Sequence, residues 1–454
     1  MNKKILSLLL VLILSFSLLT ACGGESNEKD SINSDSDSEE SSEVAIDSGA
    51  GEGAEELDMW VFVELHGKFY EKMVQEWNKE NPDKQIELSV TAYPYDDMHN
   101  KLQISLQSGT GAPDLCDIEI GKFPTFLKGE PQLEVLNDAV EPYKDTVIQS
   151  RLDVYSKDGN IYGLPTHVGA TVMFYNTEIL EEADVDYTTI KTWDDYREAG
   201  KKVVEATGKM MGVAETGALW TLPALLAQQG TDYTTDDGAP NLYTEEAIKA
   251  VSLVQEMLDE GIIEVCPGGQ PDTEEGFGYI NEGNVASVLM PMWFMSRFTD
   301  YMPDLEGKIA IAPIPVFEEG MPRSVGLGGT GTVVTKTAKD VDLAKEWLAF
   351  AKLSEEGNKG IWESLGFDPV NTSLWQDESV THNPDNAFVQ YFQNNPFDVL
   401  NEIKDEIELI KSTEISPSLN NLLCTETLNT LYESGADPEE TLKDAQEQLE
   451  LEYE

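Results

Sequence analysis

From Met59 to Ile120 the apolar residues switch repeatedly between two spacings, and that alternation restricts the chain to one class of fold. Met59 to Val63 is a short apolar run. Phe69, Tyr70, Met73, Val74 and Trp77 then share one face of a helix that Pro82 stops. Ile86, Leu88 and Val90 alternate as a strand. A second helix is expected over Asp97 to Gln107, ended by Gly109, Gly111 and Pro113, before a strand from Leu115 to Ile120. Strand, helix, strand, helix, strand in this order predicts an α/β sheet with helices packed on its faces.

The remaining chain continues the mixture. Asp158-Gly159 reads as a hairpin turn, and Val172 to Tyr175, Val285 to Met290 and Ile309 to Ile314 as strands. Thr192 is placed to cap a helix beginning at Trp193. Ala247, Val251, Val254 and Leu258 mark another helix ended by Gly261, and Leu343, Trp347, Leu348 and Ala351 a further one. The last part of the chain reads as mainly helical. At roughly 150 residues per domain, the stretch from Met59 to Glu454 predicts two or three domains.

The N-terminus is different in kind. Lys3 and Lys4 precede an apolar run from Ile5 to Leu19, too short for a stable membrane span, which closes with Leu19-Thr20-Ala21-Cys22. This resembles a bacterial lipoprotein cleavage box. It implies a signal peptide over 1–21 and lipidation at Cys22, with anchorage by acyl chains as the only membrane association. Residues 22–58 follow as an expected tether. From Gly23 to Asp58 the chain holds eight serines, thirteen Asp/Glu and one lysine, a composition expected to stay disordered.

Lys and Arg number 30 against 85 Asp/Glu, a formal net charge of −55, which excludes nucleic acid as a partner. Cys22, Cys116, Cys266 and Cys424 are widely spaced, and the four histidines form no zinc-type motif, so neither a metal nor a cofactor is expected. Gly326-Leu327-Gly328-Gly329-Thr330-Gly331 has the spacing of a dinucleotide loop. That loop must open a helix, whereas Thr332 to Thr335 is a strand pattern.

Several short motifs, in order, carry a family resemblance. They are Asp58-Met59-Trp60, Trp77-Asn78 with Pro82, Gly109 to Asp114, Gly163-Leu164-Pro165 followed by Tyr175-Asn176, Lys191 to Tyr196, Asn281-Glu282-Gly283, Met292-Trp293 and Asp342 to Trp347. Together they resemble the family 1 extracellular solute-binding proteins, the maltose-binding-like receptors of carbohydrate ABC importers. Within that family Trp60 to His66, Tyr93 to His99 and Pro165 to Gly169 look most like arabinose or arabino-oligosaccharide receptors. The resemblance implies a two-lobed periplasmic-binding-protein-like fold (type II-like). Its lobes are discontinuous, about 57–166 with 326–372 and 172–322 with 376–454, with the sugar cleft between them. It also implies a monomer without enzymatic activity, whose partners are a carbohydrate ligand and the permease subunits of an ABC transporter. The alternative is a secreted lipoprotein glycoside hydrolase, which needs two carboxylates at a fixed separation.

A neutral sugar offers hydroxyls and an apolar C–H face, so its receptor needs aromatic platforms and planar hydrogen-bonding groups. Trp220 and Trp293 match positions where family members stack aromatics on sugar, although a core role fits each as well. Glu64 and His66 match a ligand loop after the first strand; a solvated loop is the plainer reading. Glu119 and Lys122 occupy a similar loop, with Lys122 in place of the arginine of some relatives. His167 follows the first lobe crossing, where a structural histidine would also fit. Gly328 and Gly329 resemble a segment whose backbone approaches sugar, or a simple turn before a strand.

Overall fold

The computed structural model describes residues 41–453. The expected signal peptide, Cys22 and the first part of the tether lie outside the described residues. Among those described, no helix is long and apolar enough to cross a membrane.

The first sheet has six strands. Its N-terminal part is β1 (Ser42–Val44), β2 (Glu55–Val61), β3 (Ile86–Ala92) and β4 (Leu115–Glu119), in the spatial order β1-β3-β2-β4. β2 runs parallel to both β3 and β4. Thr330–Val334 then pairs antiparallel with β4, and Leu164–Pro165 antiparallel with Thr330–Val334. A strand from late in the chain therefore completes a sheet begun at its N-terminus.

Helix α1 (Glu64–Glu80) packs Phe69, Tyr70, Met73, Val74 and Trp77 on this sheet, and stops where Asn81 donates to the Trp77 carbonyl just before Pro82. Helix α2 (Tyr95–Ser108) starts two residues earlier than the sequence suggested. The Pro94 carbonyl accepts from the Met98 N–H, so the helix begins immediately after the proline; Gly109 ends it in the left-handed conformation.

The tether expectation requires a correction. Within its range, Ser42–Val44 pairs antiparallel with Val90–Ala92 and Glu55–Asp58 forms the first half of β2. Ser48 is buried, accepting from the Leu88 N–H at 2.9 Å, and its carbonyl accepts from Asn78. Averaging composition over the whole stretch hid Val44, Ile46 and Leu57, which have apolar surface to pack against. Gly67 on α1 permits the approach: a Cβ there would lie 2.6 Å from Val44 Cγ1.

The second body centres on Thr171–Asn176, flanked antiparallel by Ser287–Pro291 and Ile309–Ala312, with a parallel pair formed by Gly212–Ala214 and Ile263–Val265 nearby. The helix Trp193–Thr207 opens with the expected cap, Thr192 and Asp195 satisfying each other's backbone N–H groups. Trp77, Trp193, Trp347 and Trp362 are all buried, as are Cys116 and Cys266.

Three segments pass side by side between the bodies: Pro165 to Ala170, Gly326 to Thr330 and Phe367 to Val370. Backbone bridges join Ala170 to Gly326 and His167 to Pro369. The buried Asp368 carboxylate accepts the N–H groups of Gly169 and Ala170 at 3.1 and 2.7 Å. Burial pushes this carboxyl up to about 6 against the pull of those two donors. Its folded value lies above the ordinary 3.8, so the folded state takes up a proton first as pH falls, and the cost of the buried charge is relieved. The stability of the native protein relative to an Asp368→Asn variant should therefore improve from pH 7 to pH 4, by on the order of 2–3 kcal/mol. Denaturant melts of both proteins across this range check it; a flat difference would refute it.

Candidate functional site

A cleft of about 630 Å³ opens where the crossing segments meet the ends of the sheets. Its walls come from both bodies, and each wall is held from behind by buried polar groups.

On the first wall, Phe62, His66, Tyr95 and Glu119 follow the C-terminal ends of β2, β3 and β4. Phe62 meets Tyr95 and His66 edge to face, each at 5.5 Å between ring centroids. His66 Nδ1 contacts Asp117 Oδ2 at 2.8 Å, and the other carboxylate oxygen accepts from Tyr70 and Thr332 hydroxyls at 2.7 Å each. Burial alone would raise Asp117; the Lys352 charge, His66 and Tyr70 outweigh it and hold the carboxyl below its usual range. Glu119 accepts from the Tyr95 hydroxyl at 2.9 Å and the Gly121 N–H at 2.7 Å, and burial still pushes its carboxyl up. Behind it, His99 Nδ1 donates to the Tyr95 carbonyl while Nε2 accepts the Glu119 N–H. Those partners assign one neutral tautomer, and burial lowers His99 to about 4.

The second wall is aromatic. Trp220 and Trp293 meet edge to face at 5.4 Å. Trp220 Nε1 donates to Gln270 and Trp293 Nε1 to the Leu327 carbonyl. Arg297 lies 5.7 Å from the centre of the Trp293 ring and donates to Asp272 at 2.8 Å. Buried Glu215 fixes Trp220 by accepting its backbone N–H together with the N–H and hydroxyl of Thr221.

The floor is Gly326 to Thr330. Gly328 and Gly329 both have positive φ, and each is hemmed in: a Cβ on Gly328 would sit 2.8 Å from Trp293 Nε1, and one on Gly329 2.7 Å from Arg151 Nη2. Arg151 is fully buried and donates to the Gly328 carbonyl at 2.9 Å. Beside the floor, His167 packs edge to face on Phe367 at 4.8 Å, and neither ring nitrogen meets a partner among the described residues. Burial, then the nearby Arg151, His66 and Lys352 charges, keeps it neutral.

The cleft thus brings together seven of the nine expected residues: His66, Glu119, His167, Trp220, Trp293, Gly328 and Gly329. The other two, Glu64 and Lys122, do not line it. Glu64 opens α1 on its exposed side and accepts from Ser42, whereas His66, two positions on, turns toward the sheet. Lys122 is held by Asp96 at 2.9 Å. Phe62, Tyr95, Gln270, Asp272, Arg297 and Asn420 also line the cleft without having been singled out. Phe62 and Tyr95 carried a signal, sitting inside the Trp60 to His66 and Tyr93 to His99 runs. Among the described residues no group of three or more His, Cys, Asp or Glu could hold a metal ion. The arrangement is suited to an uncharged molecule with an apolar face and several hydroxyls.

The chain is 47% identical over 401 residues to an arabinooligosaccharide-binding protein of Halalkalibacterium halodurans, covering 88% of this chain and 90% of that one. It is 48% identical over 361 residues to an arabinooligosaccharide-binding protein of Bacillus subtilis, covering 79% and 83%. A binding protein associated with an ABC transporter from B. animalis subsp. lactis, solved with beta-1,6-galactobiose, superposes with a TM-score of 0.73 at 22% identity, over 87% of this chain and 97% of that one. A cyclic alpha-maltosyl-1,6-maltose binding protein from Arthrobacter globiformis gives 0.71 at 20%, over 88% and 98%. These two share the two-lobed fold. The profile of the bacterial extracellular solute-binding proteins matches residues 64–358, more than half of the chain, and the chain belongs to that family.

Proposed function

We propose that this protein is a lipid-anchored receptor that captures arabino-oligosaccharides outside the cytoplasmic membrane and passes them to the permease subunits of an ABC importer. The observation carrying the sugar assignment is the 47% identity to an arabinooligosaccharide-binding protein across nine-tenths of its length. The cleft is compatible with it: two tryptophans supply platforms, and polar groups from both walls face the same space. Its carboxylates are already engaged, Glu119 by Tyr95 and Gly121 and Asp272 by Arg297, which suits hydrogen bonding rather than bond cleavage. A monomer suffices, since both walls come from one chain.

Calorimetric titration with arabinose, arabinotriose, galactobiose and maltotriose tests the reading, with the sugar analysed after incubation. Arabinotriose should bind most tightly and be recovered intact. Turnover beyond one product per protein would overturn the receptor assignment in favour of the hydrolase. Anchoring is tested separately: Cys22→Ser protein should leave the membrane fraction with sugar binding unchanged, and retention there would refute the lipid anchor.

A further inference from the structure

His66 reaches the cleft from the first turn of α1, edge to face with Phe62 and Phe367 at 5.5 and 6.2 Å between ring centroids. Its two ring nitrogens differ in their surroundings. Nδ1 lies 2.8 Å from Asp117 Oδ2. Nε2 meets no partner among the described residues and, unlike the ring nitrogens of His167, is not shut off from solvent. The side chain keeps 7% of its surface open, in the wall of the cleft. Burial favours the neutral form of Asp117, but the Lys352 charge, His66 and Tyr70 outweigh it and hold the carboxyl ionised. An ionised carboxylate only accepts, so Nδ1 carries the proton and the neutral imidazole turns a lone pair at Nε2 toward the cleft. The carboxylate is fixed in this orientation. Tyr70 and Thr332 hydroxyls both donate to Oδ1 at 2.7 Å, which leaves Oδ2 to the histidine. When a ligand displaces water from Nε2, that acceptor must be met by a donor or its desolvation is uncompensated.

We propose that Asp117 is a positioning residue for ligand recognition: by fixing the tautomer of His66 it makes Nε2 an acceptor, so the cleft selects ligands whose group at that place donates a hydrogen bond. The proposal rests on the sugar-receptor reading above. A site built around a donor rejects an analogue lacking it, because its own polar group is then left unpaired. An amide at position 117 has nearly the same shape and the opposite polarity toward the histidine. With its oxygen kept by the Tyr70 and Thr332 hydroxyls, its NH2 group faces Nδ1 and the imidazole proton moves to Nε2. His66 then offers the ligand a donor instead.

The test compares native protein with Asp117→Asn at about pH 8, where an ordinary imidazole is neutral. Nitrogen NMR of histidine-labelled protein reads which ring nitrogen carries the proton, the His66 signal being assigned by its loss in His66→Gln. The proton should sit on Nδ1 in native protein and on Nε2 in the variant. Titration uses arabinotriose and arabinotrioses with one hydroxyl at a time replaced by fluorine, which cannot donate. For native protein at least one fluoro ligand should lose about ten- to a hundredfold in affinity. In Asp117→Asn one such penalty should shrink about tenfold while the others persist. Melting curves without ligand establish that the variant is folded; should it not fold, the native tautomer and the native fluoro series decide alone. A merely structural Asp117 would weaken every ligand alike. Uniform weakening, no fluoro penalty in native protein, a native proton on Nε2, or an unchanged tautomer in the variant overturns the proposal. Failure of native protein to bind any oligosaccharide overturns the receptor reading instead, and is seen without any variant.

Discussion

Replacing Gly169 by alanine should destabilise the protein by more than about 3 kcal/mol. Gly169 has a φ of +76°, and a Cβ there would lie 2.3 Å from the Leu327 carbonyl oxygen, an overlap with backbone that no side-chain rotation relieves. The neighbouring segment cannot retreat cheaply either, because the Leu327 N–H donates to the Gly169 carbonyl at 2.9 Å and Asp368 holds the Gly169 N–H from the other side. The left-handed conformation adds about 1–2 kcal/mol for any residue with a Cβ. Chemical denaturation of the variant measures the total. A loss below about 1 kcal/mol would mean that the crossing segments separate easily.

Trp293→Ala and Trp220→Ala should part company. Trp293 is only 8% exposed and packs with Phe294 and Trp220, so its removal should cost roughly 3–5 kcal/mol of stability as well as affinity. Trp220 is half-buried, and its loss should fall mainly on the ligand, with affinity reduced roughly ten- to a hundredfold. Titration alongside melting without ligand separates the two. If both variants melt early yet bind normally once folded, the tryptophans are core residues and the ligand lies elsewhere in the cleft.

The parts legible in the sequence were those encoded locally. The apolar period set β2, α1, β3, α2 and β4, and Thr192 with Asp195 announced a helix start. The tether failed where composition was averaged across Val44 and Leu57, which pair and pack with residues far along the chain. Several residues to which the resemblance pointed, His66, Glu119, Trp293 and the Gly328-Gly329 pair, are gathered at one cleft. One helical step decided between Glu64 and His66, and no composition argument resolves that. Arg297 and Asp272 stand 25 positions apart in no motif, and Asn420 lies on a late helix, Ser416–Leu422, that carried none. Such residues acquire meaning only once the chain has folded.

The pairing of the cleft's charges bears on the medium in which this protein works. Arg297 holds Asp272, and Lys411 at the cleft holds Asp236. Dissolved electrolyte weakens attractions between separated exposed charges, and capture of an uncharged molecule by groups already neutralised offers it little to weaken. A chain with a formal charge of −55 can therefore take up its ligand with nearly the same strength in dilute and in saline surroundings. Its acidic exterior is free to follow the habitat while the interior of the cleft keeps one chemistry.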